Sequence, residues 1–463
     1  MQHHFVLENS RSGLAVALLF AALAASAQVP QTTKSNPQPR PREPPAQTPA
    51  ARPVDTVVLT PVASSMLLRL SRQEAIADAL ANNPALVAAR AQVEEARAGV
   101  VMAGAWADPS LLADAIQTNP LRPGTSQGSD QGVGVTVPFP GRTRLRRDVA
   151  TSALRAAEFN VTQLQQQIAS QAAQAYDAIL VALRHRDDLQ QARSLAADFV
   201  DKTNARFLAG TAARVDVIKA KTDLASADND LIANERAIAT ARASLNRLLG
   251  RMGGAPIETT DALEVPGTIA EVDTLEHLAE SSRPEIQSLA AQLEGARQAT
   301  RLASQYWAPD FNLTLTRNNT DGAPSTYTSG VTIGVPVFFW QHRRGEVAQA
   351  RHREEELTAN IADIRAQVSL DVQTAYAQAS TAIRQAIFIR DQLLPEAREV
   401  YRVANVSYGL GGSSALDLLD AKRTLLDAES QYVDALGAAN DAVAALQLAI
   451  GAPLPPTAPG EKR

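Results

Sequence analysis

FLAGTAARVDVIKAK at 207–221 returns as YGLGGSSALDLLDAK at 408–422. An aromatic residue, a glycine three positions on, an apolar–acidic–apolar triplet and an Ala-Lys pair keep their spacing at an offset of 201 residues. Working outward from these stretches, the offset becomes 200: Ala175-Tyr176 answers Ala375-Tyr376, Trp106 and Pro109 answer Tyr306 and Pro309, and NPAL at 83–86 answers RPEI at 283–286. VTVP at 135–138 resembles IGVP at 333–336, and each half closes on a glycine, Gly250 or Gly451. A duplication this long exceeds a solenoid unit and fits two tandem copies of one structural half.

Both halves change periodicity in the same order. Residues 72–105 read as a helix, with Ala75, Ile76, Ala79, Leu80, Leu86 and Val87 at helical spacing, and 274–306 read likewise. Strict alternation follows: Val133, Val135, Val137 and Phe139 in the first half, Phe311, Leu313 and Leu315 and then Val331, Ile333, Val335 and Val337 in the second. Period two marks half-apolar strands, expected at 108–118, 130–140, 309–318 and 329–340. Long helical patterns then cover 142–207 and 342–407, with Leu164, Ile168, Ala172, Ala175, Ile179 and Leu183 stepping by three and four. At 1.5 Å per residue such a helix is a rod of about 100 Å, longer than one globular domain can surround. Each rod turns back at Gly210 or Gly411 into a shorter helix, 211–250 or 413–450. Paired end to end with the first helix of its repeat, that helix matches the rod in length. The repeats thus occupy 62–250 and 274–451, with a linker at 251–273 forming a belt where the helix pieces meet and a tail at 452–463.

Composition excludes much else. The net charge of −5 is too mild for a nucleic-acid binder, and 45% apolar residues with only 4% aromatics favours closely packed Ala-rich helices. No cysteine occurs, which excludes disulfides, thiolate metal sites and a lipid-anchored N-terminal cysteine. The apolar run Leu14–Ala25 is too short to span a bilayer, and Ala25-Ser26-Ala27 supplies a small-x-small cleavage site, so 1–27 reads as an export signal. Nine prolines between Gln28 and Pro61 make 28–61 an extended, disordered leader. His185, His277, His342 and His352 are scattered, and no zinc-protease, phosphate-loop or nucleophile-elbow motif is present. The expectation is a chain that is no enzyme and holds no metal or cofactor.

Four strands of about ten residues match a hydrocarbon core when tilted, yet four cannot close, and open edges are not tolerated in lipid. Three copies would supply twelve strands, an even number within the range of outer-membrane barrels. The aromatics Phe338, Phe339 and Trp340 at the end of a strand fit a membrane interface. The competing reading is a soluble periplasmic coiled-coil scaffold decorated with two hairpins.

From about 70 to 451 the chain resembles the TolC-like outer-membrane factors, the exit ducts of tripartite efflux pumps and type I secretion systems. The duplicated helix–hairpin–helix–helix order, NNPAL at 82–86 and the two turn motifs carry the resemblance, and VPFPGRTRLRRDVA at 137–150 is most similar to the heavy-metal, CzcC-like branch. The resemblance implies a mainly helical fold with a small β part: a homotrimer with a twelve-stranded barrel in the outer membrane and its lipid, continued by a long periplasmic helical barrel. It implies no chemistry and two kinds of partner, a periplasmic adaptor and an inner-membrane pump, of resistance-nodulation-division type for metal or small-molecule efflux or an ABC exporter for type I secretion. It also implies that Phe207, Gly210, Thr211, Tyr408, Gly411 and Gly412 lie in turns that dock the adaptor at the inner tip.

Asp417 and Asp420 match the family's acidic pair at the closed entrance, with Asp216 the counterpart of Asp417 in the first repeat, while Lys219 stands where a second acid would be. In a trimer each acid would form a ring of three carboxylates. Ser414-x-x-Asp417 also has nearly the form of a helix capping box. Tyr408 matches a tyrosine that helps hold the entrance shut, or it packs the helix end; the arginine often found five residues on is replaced by Ser413. Arg142, Arg144, Arg146, Arg147, Arg343 and Arg344 cluster just after strands, where they oppose the helix dipole and are placed to meet lipid headgroups or neighbouring acids.

Overall fold

A computed structural model describes residues 67–116, 128–320, 324–335 and 339–454. The expected signal segment, the leader and most of the tail lie outside the described residues. In the first repeat β1 (Leu68–Leu70) leads to α1 (Arg72–Asn82), α2 (Pro84–Gly104), β2 (Ser110–Ile116), β3 (Gly128–Val137), α3 (Arg142–Leu208) and α4 (Arg214–Leu248). After β4 (Ile257–Thr259) come α5 (Val272–Ser282), α6 (Pro284–Ser304), β5 (Phe311–Thr320), β6 (Thr326–Ile333), α7 (Phe339–Phe388), α8 (Leu394–Gly409) and α9 (Ala415–Ile450). A π-helical turn, Ile389–Leu393, joins α7 to α8.

The helices expected over 72–105 and 274–306 are each broken before a proline. Proline crowds the residue ahead of it out of the helical region, and Asn83 and Arg283 take ψ of 124° and 118°. Both side chains then serve the break. Asn83 Nδ2 donates to the Leu248 carbonyl at the end of α4 (2.9 Å), and Arg283 Nη1 donates to the Leu448 carbonyl near the end of α9 (3.1 Å). Buried helix-end carbonyls need such partners. Each repeat therefore fastens the end of its returning helix at the kink between its first two helices.

These junctions sit against the middle of the rods. Leu86, Ile168, Tyr176, Ile179 and Leu245 are buried in one apolar cluster, and Leu275, Val368, Val372, Leu446 and Ile450 in its counterpart. Arg72 grips Asp177, which is nearly inaccessible, through Nε and Nη2 (2.9–3.1 Å). The Tyr176 hydroxyl donates to the Leu70 carbonyl (2.9 Å). The linker contributes β4, which pairs in parallel with β1. The α9 helix is apolar enough by composition to cross a membrane, but its apolar stripe packs against α3 and α7.

The second rod differs from the first by the π turn. The repeat offset is 200 at Tyr176/Tyr376 and 201 at Phe207/Tyr408, so the second rod holds one extra residue between them. A π turn absorbs one residue without rotating the helix beyond it by the usual ~100°. Pro395 has no N–H for the carbonyl of Asp391, which favours the wider turn there.

The remaining strands form one antiparallel sheet in the order β2-β3-β5-β6. Its register sorts the side chains into two faces. Leu111, Val133 and Leu315 stand in line, as do Val135, Leu313 and Val331, and Val137, Phe311 and Ile333. The other face carries Gly132, Thr316 and Thr328; Gly134, Thr314 and Gly330; Thr136, Asn312 and Thr332. Over these rows one face is mainly aliphatic, with Ser329 beside Leu315, and the other mainly small and hydroxylated, with Leu112 beside Gly132; among the described residues the outer edges of β2 and β6 have no neighbour. The last strand ends at Ile333 rather than near 340, because β5 begins at Phe311 and gives it no partner beyond. As a result Phe339 and Trp340 open α7 instead of closing a strand, while Phe338 lies outside the described residues.

Candidate functional site

The two repeated turns lie side by side where α3 turns into α4 and α8 into α9. Each rod ends on a glycine in left-handed backbone, Gly210 at φ +72° and Gly411 at φ +85°, a conformation that a side chain would strain. Their closing bonds are the same: Thr211 N to Arg206 O (2.9 Å) and Gly412 N to Ser407 O (2.8 Å), which satisfy carbonyls at the helix ends. The crests present apolar surface, with Leu208 85% and Leu410 84% exposed, followed by exposed Val215 and Leu416.

Below the crests the turns diverge. Phe207 is 41% exposed, whereas its counterpart Tyr408 is 1% exposed, packed with Phe199, Ala220, Ala415 and Leu418. Thr203 Oγ1 gives its one proton to the Phe199 carbonyl (2.7 Å), so the Tyr408 hydroxyl donates to Thr203 Oγ1 (3.1 Å). The Arg206 guanidinium covers the Tyr408 ring at 4.4 Å and its Nη1 donates to the Tyr408 carbonyl (2.9 Å). Tyr408 is therefore held by the first repeat of the same chain. Ser413 donates to the Ala404 carbonyl (3.3 Å), and Arg206 is the guanidinium at this turn.

Asp417 and Asp420 are both exposed at the start of α9. Asp417 Oδ2 accepts from Ser414 N (2.9 Å) and Ser414 Oγ (2.8 Å), while Asp417 N donates back to Ser414 Oγ (3.2 Å). These two donors hold its carboxyl below the usual carboxylate range. The Asp420 carboxylate has no partner among the described residues, and Thr424 bonds only its backbone carbonyl. In the first turn Asp216 is half-buried and accepts from Ala213 N (3.2 Å), but Ala213 has no hydroxyl to return the bond. Lys219 is exposed.

Sequence reasoning missed the bonds that join the two turns. Lys202 Nζ donates to Asn405 Oδ1 (3.0 Å). Lys422, 5% exposed, is paired with Asp223, as a buried ammonium must be. Lys422 and Lys221 are repeat counterparts, but Lys221 is exposed, and the sequence does not mark which of the two is paired.

Comparison with known proteins agrees with this geometry. The model of the outer membrane efflux protein family matches residues 75–251 and 275–452. The cobalt-zinc-cadmium resistance protein CzcC of Cupriavidus metallidurans is 22% identical over 387 residues, covering 82% of this chain and 90% of CzcC. The pyoverdine export outer membrane protein OpmQ of Pseudomonas aeruginosa is 26% identical over 403 residues, covering 80% of each. The solved outer-membrane channel OprN superimposes with a TM-score of 0.72 at 19% identity, over 82% of this chain and 89% of that one. With both repeats matched and the sheet, rods and turns in place, the chain belongs to the outer membrane efflux protein family.

Proposed function

We propose that three copies of this chain close into one exit duct that carries small toxic solutes, heavy-metal cations foremost, from the periplasm through the outer membrane. The observation that carries this reading is the sheet, with one mainly aliphatic face, one mainly small and hydroxylated face and, among the described residues, two edges without a neighbour. A sheet of that kind is stable in lipid only when its edges are paired by further copies, and three sets of four strands give twelve. The aliphatic face then meets lipid and the threonine and glycine face lines the pore. The rods continue the tube towards the inner membrane, where an adaptor docks on the exposed apolar crests around Leu208 and Leu410 and an inner-membrane pump supplies the energy. CzcC and OpmQ, named for cobalt-zinc-cadmium resistance and pyoverdine export, favour small cargo over secreted protein.

At the inner end, Asp420 is the carboxylate free to act on passing ions, and Asp417 divides its charge between the entrance and the helix cap. Three-fold rings of these acids would attract cations and restrict flow. The test is single-channel recording of the purified protein in planar bilayers. Asp420→Asn is expected to weaken cation preference with no loss of thermal stability. Asp417→Asn should do the same at some cost in stability, and the double variant should pass more current. Unchanged current and selectivity in the double variant would sink the entrance assignment, whereas absence of any channel from the native chain would sink the duct.

A further inference from the structure

All three tryptophans of the chain stand at the junction between sheet and helices: Trp106 ahead of β2, Trp307 ahead of β5 and Trp340 after β6, each 48% exposed. Phe139, next on the aliphatic side after Val137, meets Trp307 edge-on at 5.7 Å. Half-exposed tryptophans at the end of an aliphatic sheet face mark the height of a membrane–water interface. The arginine cluster lies immediately beyond it, at the start of α3 and α7.

The cluster divides by direction. Arg142 donates to Asp310 Oδ1 (2.7 Å) and to the carbonyls of Ala308 (2.7 Å) and Gln305 (3.1 Å), which pins the start of α3 to the start of β5. Arg142 and Arg146 line a depression with Asp310, Asn312, Tyr306 and Glu346, on the side of the hydroxylated face. At ~100° per residue Arg144 stands on the opposite side of α3, towards the aliphatic side. In the second repeat His342 packs on Tyr306 (6.0 Å) and Glu346 lines the depression, so Arg344, the repeat counterpart of Arg144, also points away from it. Among the described residues, Arg144, 86% exposed, approaches the acid Asp148 alone, at 3.9 Å, and no acid pairs with exposed Arg344. Neither α3 nor α7 has an acid in its first turn. Cations there oppose the helix dipole, so the placement is unfavourable unless an anion lies outside.

We propose that Arg144 and Arg344, flanked by Arg147, form a belt that binds the phosphates of anionic phospholipid headgroups in the leaflet on the helix side of the sheet. This rests on the reading of the sheet as the membrane-spanning part. The tryptophans fix the depth of the belt, and the arginines give the leaflet a charge preference. Together they hold the tube at one height, so that the rods project a constant distance to the adaptor.

The test uses the full chain in detergent, incubated with phosphatidylglycerol or phosphatidylcholine and weighed by native mass spectrometry. The native assembly is expected to retain phosphatidylglycerol in preference, weakened by salt but not displaced by inorganic phosphate. Arg144→Gln with Arg344→Gln should lower that affinity about tenfold, with phosphatidylcholine unaffected. Arg144→Lys with Arg344→Lys should keep most of it. Equal retention of the two lipids, displacement by inorganic phosphate, or full affinity in the glutamine variant would overturn the belt. If the glutamine variant does not assemble, the salt and phosphate titrations of the native chain decide. A native chain that conducts but shows no lipid preference refutes the belt and leaves the duct standing.

Discussion

The two tip turns have the same backbone and opposite environments. At 207–211 and 408–412 the glycines take the same left-handed conformation and their closing bonds match. Yet Phe207 remains at the surface while Tyr408 is sealed beneath Arg206, and Asp216 caps its helix singly while Asp417 completes a reciprocal box. Duplication set the fold of each turn; packing of one against the other made them unequal. The second turn is the fixed one, and it carries the double carboxylate.

The largest break in this comparison comes from the aromatic pair. Tyr408→Ala should destabilise the tip by about 3–5 kcal/mol, whereas Phe207→Ala should cost well under about 1 kcal/mol. Hydrogen exchange of 400–422 measures both, and equal effects would mean that the burial of Tyr408 is not what distinguishes the turns. A smaller change tests the caps. Ala213→Ser supplies the missing hydroxyl and should stabilise the start of α4 by about 1 kcal/mol, and Ser414→Ala should remove a similar amount from α9; thermal unfolding of the two variants should move in opposite directions. The smallest effect is expected in the rods. Deleting Asp391 with Pro395→Ser, which restores the residue found at Ser194, should convert the π turn to regular helix with conductance unchanged and a stability change below about 1 kcal/mol. Loss of assembly would show that the π turn has a role beyond absorbing the extra residue.

Much of the architecture was legible because it depends on periodicity and repetition. The alternation of Val133, Val135 and Val137 anticipates the aliphatic face, and the stepping of Ile168, Ala172 and Ile179 anticipates the buried stripe of α3. The breaks at Pro84 and Pro284 were also readable, since proline acts locally; the mistake was to let helical periodicity outweigh it. The strand expected to reach Trp340 failed for another reason: its alternation continues past Ile333, but the strand that would pair with it begins only at Phe311. Strand length is a property of two segments and cannot be read from one.

What the sequence determined by itself was the duplicated plan, the two tip turns and the one-residue surplus of the second rod, because glycine conformation, apolar period and repeat offset are all local. What only the tertiary structure decided was which counterpart turned inward. Arg206 over Tyr408 and Lys422 on Asp223 join segments far apart in the chain. Each of these groups has an equivalent elsewhere in the duplicated sequence, so composition and spacing leave the choice open. Close packing settles it: Val217 and Leu418, and Ala220 and Ala421, are buried in both turns, but Tyr408 and Lys422 are buried where Phe207 and Lys221 are exposed.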